Sequence, residues 1–207
     1  MGPGALLDRF NVSRESFGRL ESYVSLLLAW QQRINLIGPS TVDQVWQRHV
    51  GDALQLVPLM APGVRSIVDL GSGAGIPGLV LAIVSRIPVH LYESNGKKAA
   101  FLREAIRHTG ATATVHQTRI ETLGDDLERP KADLVVARAL APLDLLLDYA
   151  EPFLMAGARG LFHKGQGVEA ELTAARSHWK LLYATHRSVT DSHGVILEVK
   201  EALRVQS

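Results

Sequence analysis

Apolar positions recur at helical spacing early in the chain: Phe17, Leu20, Val24, Leu27 and Ile34 fall on one face, and Gly38-Pro39 then breaks the run. This predicts one long amphipathic helix over 13–36. A second periodic stretch holds Val42, Val45, Trp46, His49, Val50, Ala53, Leu54 and Val57, and ends near Pro58 and Pro62-Gly63. Residues 1–62 therefore read as an N-terminal helical extension. From 63 onward the texture changes, with short β-rich runs at 66–70, 89–92, 113–116, 134–137 and 160–162. Helical candidates at 77–85, 96–108, 143–154 and 169–179 alternate with them. Such alternation predicts an α/β unit over 63–207 whose mostly parallel sheet is covered by helices on both faces. The tail differs, because 181–189 and 195–199 are strand-like and joined by Asp191-Ser192-His193-Gly194. A terminal hairpin there adds an antiparallel strand to the sheet.

Composition narrows the function classes. A chain of 207 residues, 46% hydrophobic, supplies one full-sized core and leaves little for a second. The formal charge of +1 provides no global basic field, so any RNA contact has to come from a local patch. Cysteine is absent, which removes disulfides, thiolate metal sites and a cysteine nucleophile, and suits a reducing cytoplasm. No metal site is expected. Residues 1–10 lack a basic region followed by an apolar core, and no uncharged apolar run approaches the ~18 residues needed to cross a bilayer. A soluble, unexported protein with no membrane association is the expectation.

The chemistry concentrates after 66–70, where Asp69-Leu70 runs directly into Gly71-Ser72-Gly73-Ala74-Gly75-Ile76-Pro77-Gly78. Glycines let a backbone turn with positive φ and approach a ligand closely, and free N–H groups at the following helix favour an anionic group. Gly71, Gly73 and Gly75 give G-x-G-x-G, whereas Gly73, Gly75 and Gly78 give the dinucleotide pattern G-x-G-x-x-G, so the glycines alone fit two cofactors. Glu93 stands at the end of 89–92, where a nucleotide-binding unit carries the acid that accepts ribose hydroxyls. Asp69, two residues before the first glycine, makes the segment resemble the first motif of class I methyltransferases.

Further motifs follow in order: Trp30 with Asn35-Leu36, Arg48-His49 with Asp52, Glu93-Ser94 with Lys97-Lys98 and Phe101-Leu102, Arg119 to Glu121, Arg138-Ala139, and Lys164-Gly165. Together with 69–78 they resemble, over nearly the whole chain, the bacterial family that methylates N7 of a guanine in small-subunit ribosomal RNA, also called glucose-inhibited division protein B. Ile37, Ala53 and His163 depart mildly from that pattern, and none lies in the cofactor motif. The resemblance implies a class I, Rossmann-like methyltransferase fold: a mostly parallel seven-stranded sheet with an antiparallel C-terminal strand. It also implies S-adenosyl-L-methionine as donor, S-adenosyl-L-homocysteine as product, and 16S rRNA or the small subunit as partner. No obligatory protein partner is indicated, and a monomer is the expectation.

Carried over by position, the cofactor contacts are Gly71, Ile76, Ile120 with Glu121, and Arg138, with Glu93 accepting the ribose. Asp69, Ser72, Gly73 and Gly75 complete the expected cofactor-binding set. Guanine N7 carries no proton, so methyl transfer to it needs no general base and depends on positioning. Arg138 is then the residue expected at the methyl-transfer end, on the methionine carboxylate, an rRNA phosphate or a guanine edge. Candidate RNA contacts are Arg48, His49, Lys97, Lys98 and Lys164. His49 equally suits a satisfied semi-buried histidine, and Asp52 lies at helix-neighbour spacing from Arg48. On the residues alone, a methyltransferase for a small molecule or protein, an NAD-dependent oxidoreductase and a non-catalytic RNA or nucleotide binder stay open.

Overall fold

The computed structural model describes residues 3–123 and 129–205. Helices α1 (Pro3–Phe10) and α2 (Arg14–Gln31) open the chain. The Ser13 hydroxyl caps α2 by accepting from the Ser16 N–H. The predicted helix over 13–36 stops at Gln31 because that side chain takes over the backbone: its Oε1 accepts from the N–H groups of Leu36 and Ile37, and its Nε2 donates to the Ile37 carbonyl. The second periodic stretch is helical but not one α-helix. A 3-10 segment (Pro39–Gln44) is followed by a π turn (Trp46–Gly51), the short α3 (Asp52–Leu54) and a second 3-10 turn (Val57–Leu59).

The remainder alternates β1 (Ile67–Leu70), α4 (Gly78–Ser85), β2 (Val89–Tyr92), α5 (Gly96–Thr109), β3 (Ala113–His116), β4 (Leu134–Arg138), α6 (Leu143–Leu154), β5 (Arg159–Lys164), α7 (Val168–Ala175), β6 (Trp179–Arg187) and β7 (Val195–Arg204). One seven-stranded sheet results, in the order β3-β2-β1-β4-β5-β7-β6. Strands β1 to β5 run parallel, and β7 inserts antiparallel between β5 and β6. Two expectations shift. The helix over 169–179 ends at Ala175, because Ser177 and His178 bond back to Ala174 and Ala175. Trp179 is thereby freed to start β6 opposite Arg204, whose guanidinium covers its ring at 4.4 Å. The helix expected from Pro77 begins instead at Gly78, with Pro77 as its cap.

Each face of the sheet has its own core. On one face Leu20, Tyr23 and Leu27 of α2 pack with Leu79 and Ile83 of α4 and Phe101 of α5, so the N-terminal helices share a core with those that follow the sheet's first strands. Leu146, Leu147 and Phe153 of α6 with Leu172 of α7 cover the other face. Register decides where the loops emerge. Leu70 is level with Tyr92 and with Ala137, so Gly71, Glu93 and Arg138 leave the sheet along one carboxyl-end edge, where open parallel sheets bind ligands.

Candidate functional site

At that edge the glycine loop is held from below and from the side. Asp69 is fully buried beneath it, and its Oδ2 accepts from the Gly78 N–H at 3.1 Å, holding the start of α4. Burial pushes the Asp69 carboxyl up to about 7, against the lowering effect of its hydrogen bonds and of Arg138. A Cβ at Gly78 would lie 2.5 Å from that carboxylate, so only glycine lets the helix sit so close. Gly71 and Gly73 have φ of +68° and +55°, a left-handed conformation that L side chains rarely adopt. The loop is also clamped from the N-terminal helices: the Tyr23 hydroxyl on α2 donates to the Ala74 carbonyl at 2.6 Å. Burial drives the Tyr23 phenol well above the usual tyrosine range, so it stays a donor.

Above the loop lies a cavity of about 370 Å³, within the range of small-ligand sites. Gly71, Gly73, Glu93, Ile120 and Glu121 line it together, joined by Lys98, Arg119, Leu140 and Tyr149. Glu93 is fixed by two backbone donors, the Gly73 N–H on Oε2 and the Asn95 N–H on Oε1, both at 2.8 Å. An ionised carboxylate has about four lone-pair sites, so each oxygen keeps capacity for one more donor, such as a ribose hydroxyl. Ser72, Gly75 and Ile76 do not line the cavity: Ser72 is buried with its Oγ on the Asp69 carbonyl, and Ile76 belongs to the core. The residues present therefore fit an adenosine-type cofactor, with polar capacity at Glu93 and Glu121 and an apolar wall at Ile120.

Arg138 is not in that cavity. Its guanidinium turns to the π turn and α3, where Nη1 donates to the Arg48 carbonyl and to Asp52 Oδ2, both at 3.1 Å, and Nη2 donates to His49 Nδ1 at 2.7 Å. A guanidinium only donates, so His49 Nδ1 is the acceptor and Nε2 carries the proton. That proton goes to Thr41 Oγ1 at 2.7 Å, whose own hydrogen goes to the Gly38 carbonyl. Both ring nitrogens are thereby committed, and burial, aided by Arg138, pushes His49 down to about 4, so the ring is neutral at pH 7. Asp52 is held further by Gln55 and Thr190 on Oδ1, and its backbone carbonyl accepts from His163. Arg48 pairs with Asp191 at 3.0 Å, so the helix-neighbour pairing of Arg48 with Asp52 does not form.

The remaining candidates separate. Lys164 is 6% exposed, donates to the Ala141 carbonyl at 3.0 Å and pairs with Glu171, which also accepts from the Leu143 N–H. Its ammonium thus fastens the turn between β4 and α6. That turn, with Ala139 at φ +52°, is the wall between the glycine-loop cavity and a second one of about 320 Å³ bordered by Arg138 and His163. Lys97 and Lys98 open α5, where the Asn95 side chain accepts from both their backbone N–H groups. Sequence reasoning missed Tyr23, Thr41 and Thr190. Tyr23 had no signal beyond an apolar stripe, Thr190 acts through Asp52, 138 residues earlier, and Thr41 meets His49 only because the chain folds back between them.

The family model described as rRNA small subunit methyltransferase G matches residues 17–200. The chain belongs to this family. Among its relatives, the ribosomal RNA small subunit methyltransferase G of Paramagnetospirillum magneticum is 50% identical over 204 residues, covering 99% of this chain and 98% of that protein. The one from Rhodospirillum rubrum is 47% identical over 204 residues, covering 99% and 100%. Solved structures share the fold at low identity. An O-methyltransferase from Bacillus cereus aligns with a TM-score of 0.58 at 15% identity over 89% of this chain and 91% of that one. A glycopeptide N-methyltransferase aligns at 0.61 and 11% over 74% and 94%. The architecture of this family member is therefore that of the S-adenosylmethionine-dependent methyltransferases. Among the described residues no helix is long and apolar enough to cross a membrane.

Proposed function

We propose that this family member transfers a methyl group from S-adenosyl-L-methionine to N7 of a guanine in small-subunit rRNA, acting as a cytoplasmic monomer. The observation that carries the reading is Glu93, which lines the cavity beside the glycine loop, locked by two backbone N–H groups and with lone-pair capacity to spare. The donor supplies a methyl group already activated on a sulfonium. The chain's own residues supply placement. Gly71 and Gly73 admit the ligand backbone-close, Glu93 receives the ribose hydroxyls, and Ile120 with Glu121 borders the adenine. Tyr23 and Asp69 keep the loop from moving while this happens.

No residue has to remove a proton from the acceptor, which agrees with the state of His49: it has neither a free lone pair nor a spare proton. Arg138 acts by holding 48–52 against the end of β4, shaping the acceptor side rather than gripping the donor. Acceleration by positioning alone reaches large factors when the reacting atoms are held about 3–3.5 Å apart in line. The test is incubation with methyl-labelled donor and rRNA from cells lacking this protein, followed by mapping of the label. One N7-methylguanosine in the small-subunit RNA is expected, and label confined to protein or small metabolites overturns the reading.

A further inference from the structure

Beside the cofactor cavity, between the end of α2 and the first turns of α5, runs a groove of about 500 Å³. Leu26, Trp30, Ile34 and Ala100 make it apolar, and Arg33 and Lys97 complete its charge. Among the described residues no carboxylate lines it. Arg33 and Lys97 are exposed, and among the described residues neither side chain has an ion-pair partner. The charged side chains further along α5 differ, since Arg103 is bound to Gln117 and Arg107 to Glu104. Trp30 is half-buried and its ring is fixed edge-on against Phe101 at 5.7 Å, so it is a rigid platform rather than a loose side chain. The groove is also continuous in sequence with the site: Lys97 lines the groove and its neighbour Lys98 lines the cofactor cavity.

An aromatic platform flanked by exposed cations, with no acid beside them among the described residues, is the chemistry that receives an unstacked base and its flanking phosphates. We propose that this groove binds an unpaired nucleotide of the rRNA substrate, its base stacked on Trp30 and its phosphates on Arg33 and Lys97. The proposal rests on the rRNA reading above and adds a contact point away from the methylated base.

Two variants test it with unmodified small-subunit rRNA as the probe. Arg33→Ala/Lys97→Ala changes only exposed side chains, and is expected to raise KM for rRNA about ten-fold while affinity for S-adenosylmethionine stays at the parent value. It should also make the slope of log binding constant against log salt shallower by about 1.4, from roughly 0.7 per released single-strand phosphate contact. Tryptophan emission of the parent protein should be quenched on titration with this RNA, and Trp30→Leu should lose most of that quenching, leaving Trp46 and Trp179 as reporters. An unchanged KM and salt slope in the double variant, or equal quenching in Trp30→Leu, overturns the groove assignment while the function stands. A parent protein that neither binds nor methylates the rRNA overturns both.

Discussion

Removing the Arg138 guanidinium is the most revealing single perturbation, because it serves three partners at once. Arg138→Ala deletes donors to the Arg48 carbonyl, Asp52 and His49, and strands an aspartate that is only 14% exposed, the arginine itself being 21% exposed. Breaking a buried pair by removing one partner costs about 3–5 kcal/mol, since the surviving charge keeps its desolvation penalty. Asp52 retains Gln55 and Thr190, which places the expected loss at the low end, about 3 kcal/mol. For a domain of this size, ~1 kcal/mol lowers the melting temperature by about 2–4 °C, so a drop of about 6–12 °C should appear in a circular dichroism melt at pH 7.

If stranded charge is the cause, adding Asp52→Asn to Arg138→Ala recovers about 1 kcal/mol or more, although Asp52→Asn alone is destabilising. Methyl transfer, measured well below the melt, should fall through kcat/KM for rRNA with S-adenosylmethionine affinity nearly retained. A drop under about 2 °C, or no recovery in the double variant, refutes the reasoning. A selective loss of donor affinity would show instead that Arg138 reaches the methionine end.

Three further outcomes follow from the same geometry. The unfolded Asp69 ionises near 3.8 and the folded one near 7, so the folded state holds the extra proton between those values; stability should fall as pH rises from 4 to 7, by at most about 4 kcal/mol, and Asp69→Asn should flatten that slope in pH-dependent melts. An equal slope in the variant removes Asp69 as its source. Gly78→Ala forces a Cβ to within 2.7 Å of Leu91 and closer still to Asp69, and should cost about 1–3 kcal/mol in urea unfolding; a neutral result means the loop can shift. Lys164→Met should lower stability by about 1–2 kcal/mol and leave the salt slope of rRNA binding unaltered, whereas a shallower slope would show that the ammonium leaves Glu171 for a phosphate.

Local pattern carried most of the architecture. The buried-strand runs of β1 and β4 and the glycine loop between β1 and α4 are signals within a few residues, and an alternating chain restricts the sheet to a few orders. Trp179 shows the limit, since an apolar aromatic residue suits the end of a helix and the start of a strand equally, and the turn of Ser177 and His178 decides between them. The π turn over 46–51 is indistinguishable in sequence from the rest of its periodic stretch, because its apolar positions keep a near-helical spacing. At the site, the grouping of Gly71, Gly73, Glu93, Ile120 and Glu121 follows from the parallel register that sequence alternation already implies. The partners of Arg138 were not legible, because they lie 86 to 90 residues earlier and answer to tertiary packing alone.

The position of β7 has a consequence for how the protein comes into being. The last strand among the described residues is an interior one, so a nascent chain that has not yet delivered 195–204 holds β5 with an open flank and β6 with nothing to pair against. Such flanks are templates for association with other chains, which gives interrupted synthesis products a tendency to aggregate. The turn before β7 also carries Thr190 and Asp191, the partners of Asp52 and Arg48. The segment that closes the sheet is therefore also the one that ties down the turn beside Arg138, so losing it would undo the sheet's interior and the anchoring of Asp52 and Arg48 in one stroke.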